Sequence, residues 1–381
     1  MARIQPSQGI SPIHLAAAAP LGVWLRLIRE NGGVAPPYWG RLARVMLTSA
    51  ALSPLRAAER VRFGRRVART EVHPSPVYVH GFARTGTTHL HNLLAHDPGL
   101  GFVTTLQANT APMFLFARGW LDPFIAKRLP STRPMDDVAV SLALPQEEEA
   151  ALACTSHLSP VHGVSFPNRM REITDRFGSM RLTAAELAQW KRAYLRVLRK
   201  ATLAAEGRRL VLKSPANLGR TALLRSLFPD AKFVFLMRNP YVVYLSNLRL
   251  YRSLLPAYAM TDYDWDSIAA AVRRNFAVMM QRYLRDRESI PPGNLVEVRF
   301  EDVEADPLGE LERIYRRLRL PGWERARQPI AAYAASLAGY RKNRYRIDQR
   351  VVRVVDRDWG FAVKAWGYSP PFTAGRVVTE R

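Results

Sequence analysis

Gly81 and Gly86 bound a short loop, G-F-A-R-T-G, and Thr87 and Thr88 follow it directly. A glycine-bounded loop running into a helix turns several backbone N–H groups toward one point, and an anion binds well there. The G-x-x-x-x-G spacing is that of a phosphate loop, but Thr87 stands where a nucleotide triphosphatase needs lysine. The cation is inside the loop instead, at Arg84. Two more cations follow apolar runs: Lys213 after Leu210-Val211-Leu212, and Arg238 after the run Phe233 to Met237. Residues at the ends of parallel strands are the ones an α/β sheet presents to ligands. Ser246, eight residues beyond Arg238, falls on the helix that Pro240 begins. The chemistry implied is the holding of phosphate by arginine, lysine, hydroxyls and loop amides, in a cradle suited to something other than ordinary ATP chemistry.

The elements that must carry these residues are readable from local pattern. Val77-Tyr78-Val79 is a buried strand by composition, and Leu90, Leu93 and Leu94 recur at helical spacing behind the loop. Leu295 to Phe300 reads as a further strand and Val303 to Leu318 as one basic amphipathic helix. Thr183 and Glu186 form a capping box for a helix with Leu187, Trp190, Tyr194 and Val197 on one face. Pro145-Gln146 precedes Glu147, Glu148 and Glu149, which reads as a helix start, where carboxylates suit the dipole. The functional alternative is that one of the three activates an acceptor hydroxyl. The segment Gly101 to Leu121, with Phe102, Phe114, Phe116 and Trp120, is core or the wall of an acceptor pocket.

F-A-R-T-G-T-T-H-L resembles the 5′-phosphosulfate loop of sulfotransferases, with Ala83 where that family usually has proline. R-N-P-Y-V-V-Y-L-S, from Arg238 to Ser246, resembles the family's 3′-phosphate element, and L-K-S-P its strand-end lysine element. R-F-E-D-V-E-A-D-P and the late basic run G-Y-R-K-N-R-Y, with Arg341, Lys342 and Arg344, resemble later segments. The likeness spans Val77 to Tyr345. It implies an α/β three-layer, P-loop-like fold with a mostly parallel central sheet. It also implies transfer of a sulfuryl group from 3′-phosphoadenosine 5′-phosphosulfate (PAPS) to a hydroxyl or amine, with no metal. Arg84, Thr85, Gly86, Thr87 and Thr88 would hold the 5′-phosphate, and Arg238, Ser246, Arg341, Lys342 and Arg344 the 3′-phosphate. His89 takes the place of an adenine-stacking aromatic, or is a packing histidine. Arg84 and Lys213 would stabilise developing charge. Pro215 stands where cytosolic members carry their histidine base, so the base is placed at Glu147, with Glu149, Asp137 and His157 as the other possibilities.

At 381 residues with a net charge of +24 and pI near 10.9, the chain favours an anionic partner: a phosphorylated nucleotide, an acidic lipid surface or nucleic acid. Cys154 is the only cysteine, which excludes an intrachain disulfide or a cysteine-based zinc site. No stretch reaches the ~18 apolar residues of a membrane span, no signal peptide is apparent, and a cytoplasmic location is expected. Residues 1–70 are expected as a helical extension and 71–381 as the α/β domain. Arginines 56, 60, 62, 65, 66 and 69 make the last N-terminal helix basic: a solvated face, or one that meets membrane or acceptor. The acceptor class is open among small molecule, lipid and carbohydrate, and no sequence-specific nucleic-acid module is present. A P-loop kinase or nucleotide hydrolase is disfavoured by Thr87 and by the lack of a metal-binding aspartate after a buried strand. A non-catalytic basic binder is the third reading.

Overall fold

The computed structural model describes residues 14–119, 122–127, 141–339, 343 and 345–370. Its centre is a five-stranded sheet in the order β2-β3-β1-β4-β5, with every pairing parallel. The strands are β1 (Val77–His80), β2 (Leu100–Gly101), β3 (Arg209–Lys213), β4 (Lys232–Met237) and β5 (Leu295–Arg299). β1 is buried on both faces, as its unbroken apolar run requires in a parallel sheet. Alternate residues supply the two covering layers. Val77, Val79, Val211, Val234 and Leu236 pack with the helices Thr87–Leu94 and Pro307–Leu318 on one side. Tyr78, Leu210, Leu212 and Phe233 join the helix Ala184–Ala204 on the other, and Phe235 and Met237 meet Pro240–Tyr258 and Trp265–Asp286 there. This is the expected three-layer α/β arrangement.

β1 lies between β3 and β4: the chain runs from β1 to β2 on one side, and from β3 it crosses to β4 on the other. That is the switch point at which open α/β sheets leave a crevice beyond the carboxyl ends of their strands. The loop after β1, Lys213 at the end of β3, Arg238 just past β4 and Phe300 just past β5 all share this edge.

Three helices precede the sheet: α1 (Leu21–Glu30), α2 (Trp39–Ala51) and α3 (Ser53–Arg69). Trp24 anchors α1 in the core, Arg41 of α2 donates from Nη2 to Pro256 O at 2.8 Å, and Glu59 of α3 pairs with buried Lys200. The helix expected over Val303–Leu318 is two: Phe300–Ala305 and Pro307–Leu318. Proline has no N–H and a fixed φ, so Pro307 starts a new helix, with Asp306 Oδ1 accepting the Gly309 N–H at 2.9 Å. Of the aromatic segment, Phe114 is core, Phe102 is half-buried against it and Trp120 lies outside the described residues. No described helix is long and apolar enough to cross a membrane.

Candidate active site

The loop after β1 leads into α4 (Thr87–Leu94) through two glycines whose places no side chain could share. A Cβ on Gly81 would come within 2.6 Å of Thr87 Cγ2 and 2.7 Å of Leu236 O. On Gly86, at φ +94°, it would lie 2.1 Å from Phe300 Cδ2. Arg84 itself adopts a left-handed φ of 72°, which directs the chain around the loop. Thr85 closes the loop from within, its Oγ1 donating to Phe82 O at 2.8 Å. No side chain caps α4, so its first-turn N–H groups are left for an outside acceptor. Thr87 is buried and Thr88 half-buried at this point.

The second phosphate element meets the first. Arg84 Nε donates to Ser246 Oγ at 3.0 Å, and the Tyr345 hydroxyl donates to the same oxygen at 3.0 Å. With both lone pairs of Ser246 engaged, its own proton is available to a third group. Arg238 stacks over the Phe300 ring, 4.4 Å from the centroid, and Asn247 Nδ2 donates to Ala83 O at 2.9 Å, tying the Pro240 helix to the loop. Loop amides, two guanidiniums and hydroxyls thus converge at one crevice. His89 sits edge-on to Phe300 at 6.4 Å, and burial lowers its pKa against the opposing charge of Glu304, favouring the neutral ring. Arg341, Lys342 and Arg344 lie outside the described residues, as does Asp137. Tyr345 ends the late basic run, but nothing local pairs it with a serine 99 residues away, and Asn247 carries no signal of its own.

The three glutamates fasten onto the segment after β3. Glu147 Oε1 accepts from Lys213 Nζ at 2.6 Å. Glu148 accepts from Asn217 Nδ2 at 2.6 Å, while its Oε2 is buried without a partner. Burial raises the Glu148 carboxyl, against the hydrogen bond from Asn217. Glu149 accepts from Ser159 Oγ at 2.7 Å and pairs with Arg220, whose guanidinium also lies over Trp190 and Tyr194. Glu147 is the N-cap residue of the helix Glu148–Ala153, in place through the Gln146 N–H bond to Val103 O at 2.8 Å. Glu147 thus stands at the helix start as its N-cap, and Glu148 and Glu149 form its first turn. Glu149 is committed to a buried pair, and only Glu147 reaches the strand-end edge.

His157 is beside Arg26, Glu30, Arg176 and Glu186, none of which belongs to that edge. His91, unmarked in the sequence, is near Lys213, and burial lowers its pKa to about 3, so it adds no charge there. Among the described residues no group of His, Cys, Asp and Glu is arranged to hold a metal ion.

A profile of the sulfotransferase family matches residues 76–325. Over 358 residues the chain is 30% identical to the omega-hydroxy-beta-dihydromenaquinone-9 sulfotransferase Stf3 of Mycobacterium bovis, with 92% of each chain covered. In fold it is similar to the sulfotransferase STF1 of Mycobacterium tuberculosis H37Rv, with a TM-score of 0.66, 21% identity and 89% of this chain and 91% of that one covered. It is equally similar to STF9 of Mycobacterium avium, with a TM-score of 0.66, 16% identity and coverage of 95% and 98%. With the phosphate loop, the strand-end lysine and the arginine–serine element sharing one edge of the sheet, the chain belongs to the sulfotransferase family and is a transferase of sulfuryl groups.

Proposed function

We propose that this chain moves the sulfuryl group of PAPS to the hydroxyl of a lipid-like acceptor presented at an anionic membrane surface. The observation that carries the reading is the Lys213–Glu147 pair, 2.6 Å apart, with Lys213 4% exposed and Glu147 28% exposed. It joins a cation and a carboxylate on the edge that also carries Arg84 and Arg238. When bound, PAPS supplies the sulfuryl group and departs as the 3′,5′-bisphosphate. The residues fit it: an uncapped helix N-terminus behind glycines that admit no Cβ suits the 5′-phosphate, with Arg84, Thr85, Gly86, Thr87 and Thr88 around it. Arg238 and the spare proton of Ser246 suit the 3′-phosphate. His89, favoured neutral and standing edge-on to Phe300, is the ring nearest to hand for adenine.

Lys213 and Arg84 stabilise the charge that grows on the oxygen between sulfur and phosphorus as that S–O bond breaks. Glu147 takes the proton of the acceptor hydroxyl as the new S–O bond forms. Before the donor arrives, Glu147 also satisfies the buried ammonium of Lys213, which would otherwise be an unpaired charge out of water. The acceptor class is drawn from Stf3, whose name records a hydroxylated dihydromenaquinone. The test is incubation with PAPS and a terminally hydroxylated dihydromenaquinone, in the presence of a chelator, with the product read by mass spectrometry. A sulfate ester is expected. Failure to sulfate any hydroxylated lipid, with turnover of a soluble sugar or amine instead, would reject the lipid acceptor.

A further inference from the structure

α2 and α3 pack apolar stripes inward, yet each also leaves large apolar side chains on its outer face. A surface helix normally turns its apolar stripe inward and its charges outward. The inner stripe of α2 is Arg41, Val45 and Ser49, with Leu42 and Met46 beside it against the core. Arg41 donates to the carbonyls of Pro256 and Ala259, and Ser49 Oγ donates to Ala19 O at 2.6 Å. Its outer stripe, two residues out of phase, is Trp39, Ala43 and Leu47, with Trp39 60% and Leu47 70% exposed. On α3, Leu55 and Val67 pack inward beside Glu59, which pairs with Lys200 out of water, while Val61 is 86% exposed. With Leu25 of α1, at 58%, these are the large exposed hydrophobics among the described residues, and all belong to the three N-terminal helices.

Charge names what covers them. Between Leu21 and Arg69 the sequence has ten arginines and two glutamates, and one of those two is the buried Glu59. Exposed Arg62, Arg65 and Arg66 adjoin Val61 on α3, and Arg44 adjoins Leu47 on α2. A second copy of this face would bring like charges together. The partner must be apolar beneath and anionic above, which is the composition of an anionic bilayer.

We propose that the outer faces of α2 and α3 dock this enzyme on an anionic membrane, with Trp39, Leu47 and Val61 in the interface and arginines on the headgroups. This deepens the lipid-acceptor reading and rests on it, because a docked enzyme meets its acceptor without extracting it into water.

The experiment is flotation of the full chain with vesicles of phosphatidylcholine alone and of phosphatidylcholine with phosphatidylglycerol. The wild type should float with the anionic vesicles and not with the neutral ones, and salt should weaken it. A Leu47→Asp/Val61→Asp variant and an Arg62→Glu/Arg65→Glu/Arg66→Glu variant should each lose about tenfold or more in partitioning. Both should keep the wild-type thermal shift with 3′-phosphoadenosine 5′-phosphate, which shows that the fold and nucleotide crevice are intact. Undiminished flotation of both folded variants, or no flotation of the wild type, overturns the docking face. So does a dimer in sedimentation that Leu47→Asp abolishes, since a second copy would then be the occupant. Loss of the nucleotide shift in the wild type would instead strike the sulfotransfer reading and leave the flotation result standing.

Discussion

Lys213–Glu147 and Arg220–Glu149 are cation–carboxylate pairs from the same two segments, closed at 2.6 and 2.5 Å. They differ in burial. Arg220 and Glu149 are each 1% exposed, roofed by Trp190 and Tyr194, whereas Glu147 is 28% exposed. A fully buried pair has no water to fall back on, so removing one partner strands the other. A pair open on one side can exchange a partner for a ligand at little cost. One run of glutamates thus holds a buried pair at Glu149 and a half-open one at Glu147, with Glu148 between them.

Arg220→Met tests the buried member and carries the largest expected effect. It should lower stability by roughly 3–5 kcal/mol, and pairing it with Glu149→Leu should recover most of that. Urea denaturation of the two variants measures both, and a single variant as stable as wild type would erase the distinction. Lys213→Ala tests the open member from the other side. Its turnover should fall about 100-fold to 1,000-fold, as when one donor to a developing charge is lost, with the melting temperature nearly unchanged. A large drop in melting temperature would move Lys213 to the structural class.

Arg238→Ala extends the comparison to the nucleotide. It should weaken the 3′-phosphorylated nucleotide by about 1–3 kcal/mol, the cost of leaving a charged group without its partner. Binding of the 3′-hydroxyl analogue should barely change. Calorimetry gives both constants, and equal losses would assign Arg238 to support of Phe300.

Glu148→Gln carries the smallest effect and probes the residue between the pairs. Burial raises the folded-state pKa of this carboxyl above its ordinary 4.5. The unfolded chain therefore ionises Glu148 first as pH rises, binds fewer protons than the native state, and stability falls through that window. Glutamine removes this loss, so the variant should be at least as stable as wild type at neutral pH, with a flatter profile above 4.5. Thermal melts across pH check it, and an unchanged slope would place the ionisation elsewhere.

The sheet and the phosphate loop were legible because their determinants are local. Apolar runs such as Phe233 to Met237 report burial on both faces, and Gly81, Arg84, Gly86 and Thr87 sit in one short stretch. What escaped is long-range. Glu148 and Glu149 find Asn217 and Arg220 at separations of 69 and 71 residues, and no spacing rule links them. The N-terminal helices were visible as helices, but their orientation was not. Periodicity gives the apolar stripes, such as Leu42, Val45 and Met46, but not that Arg41 and Glu59 turn inward beside them. The break at Asp306-Pro307 is local, but the apolar stripe that runs across it reads as one helix.

The most direct test of the central claim is the melting temperature of the wild type with 3′-phosphoadenosine 5′-phosphate in excess chelator, set against ATP with magnesium. A ligand that binds the native state at 100 times its Kd stabilises it by about 2.7 kcal/mol. On the proposed reading, Arg84, Arg238, Ser246 and the α4 amides would supply the charge and hydrogen bonds the bisphosphate needs. A shift of several degrees with the bisphosphate in chelator, larger than any shift with ATP and magnesium, is the predicted result. A shift seen only with ATP and magnesium would contradict the account and make this crevice a triphosphate site.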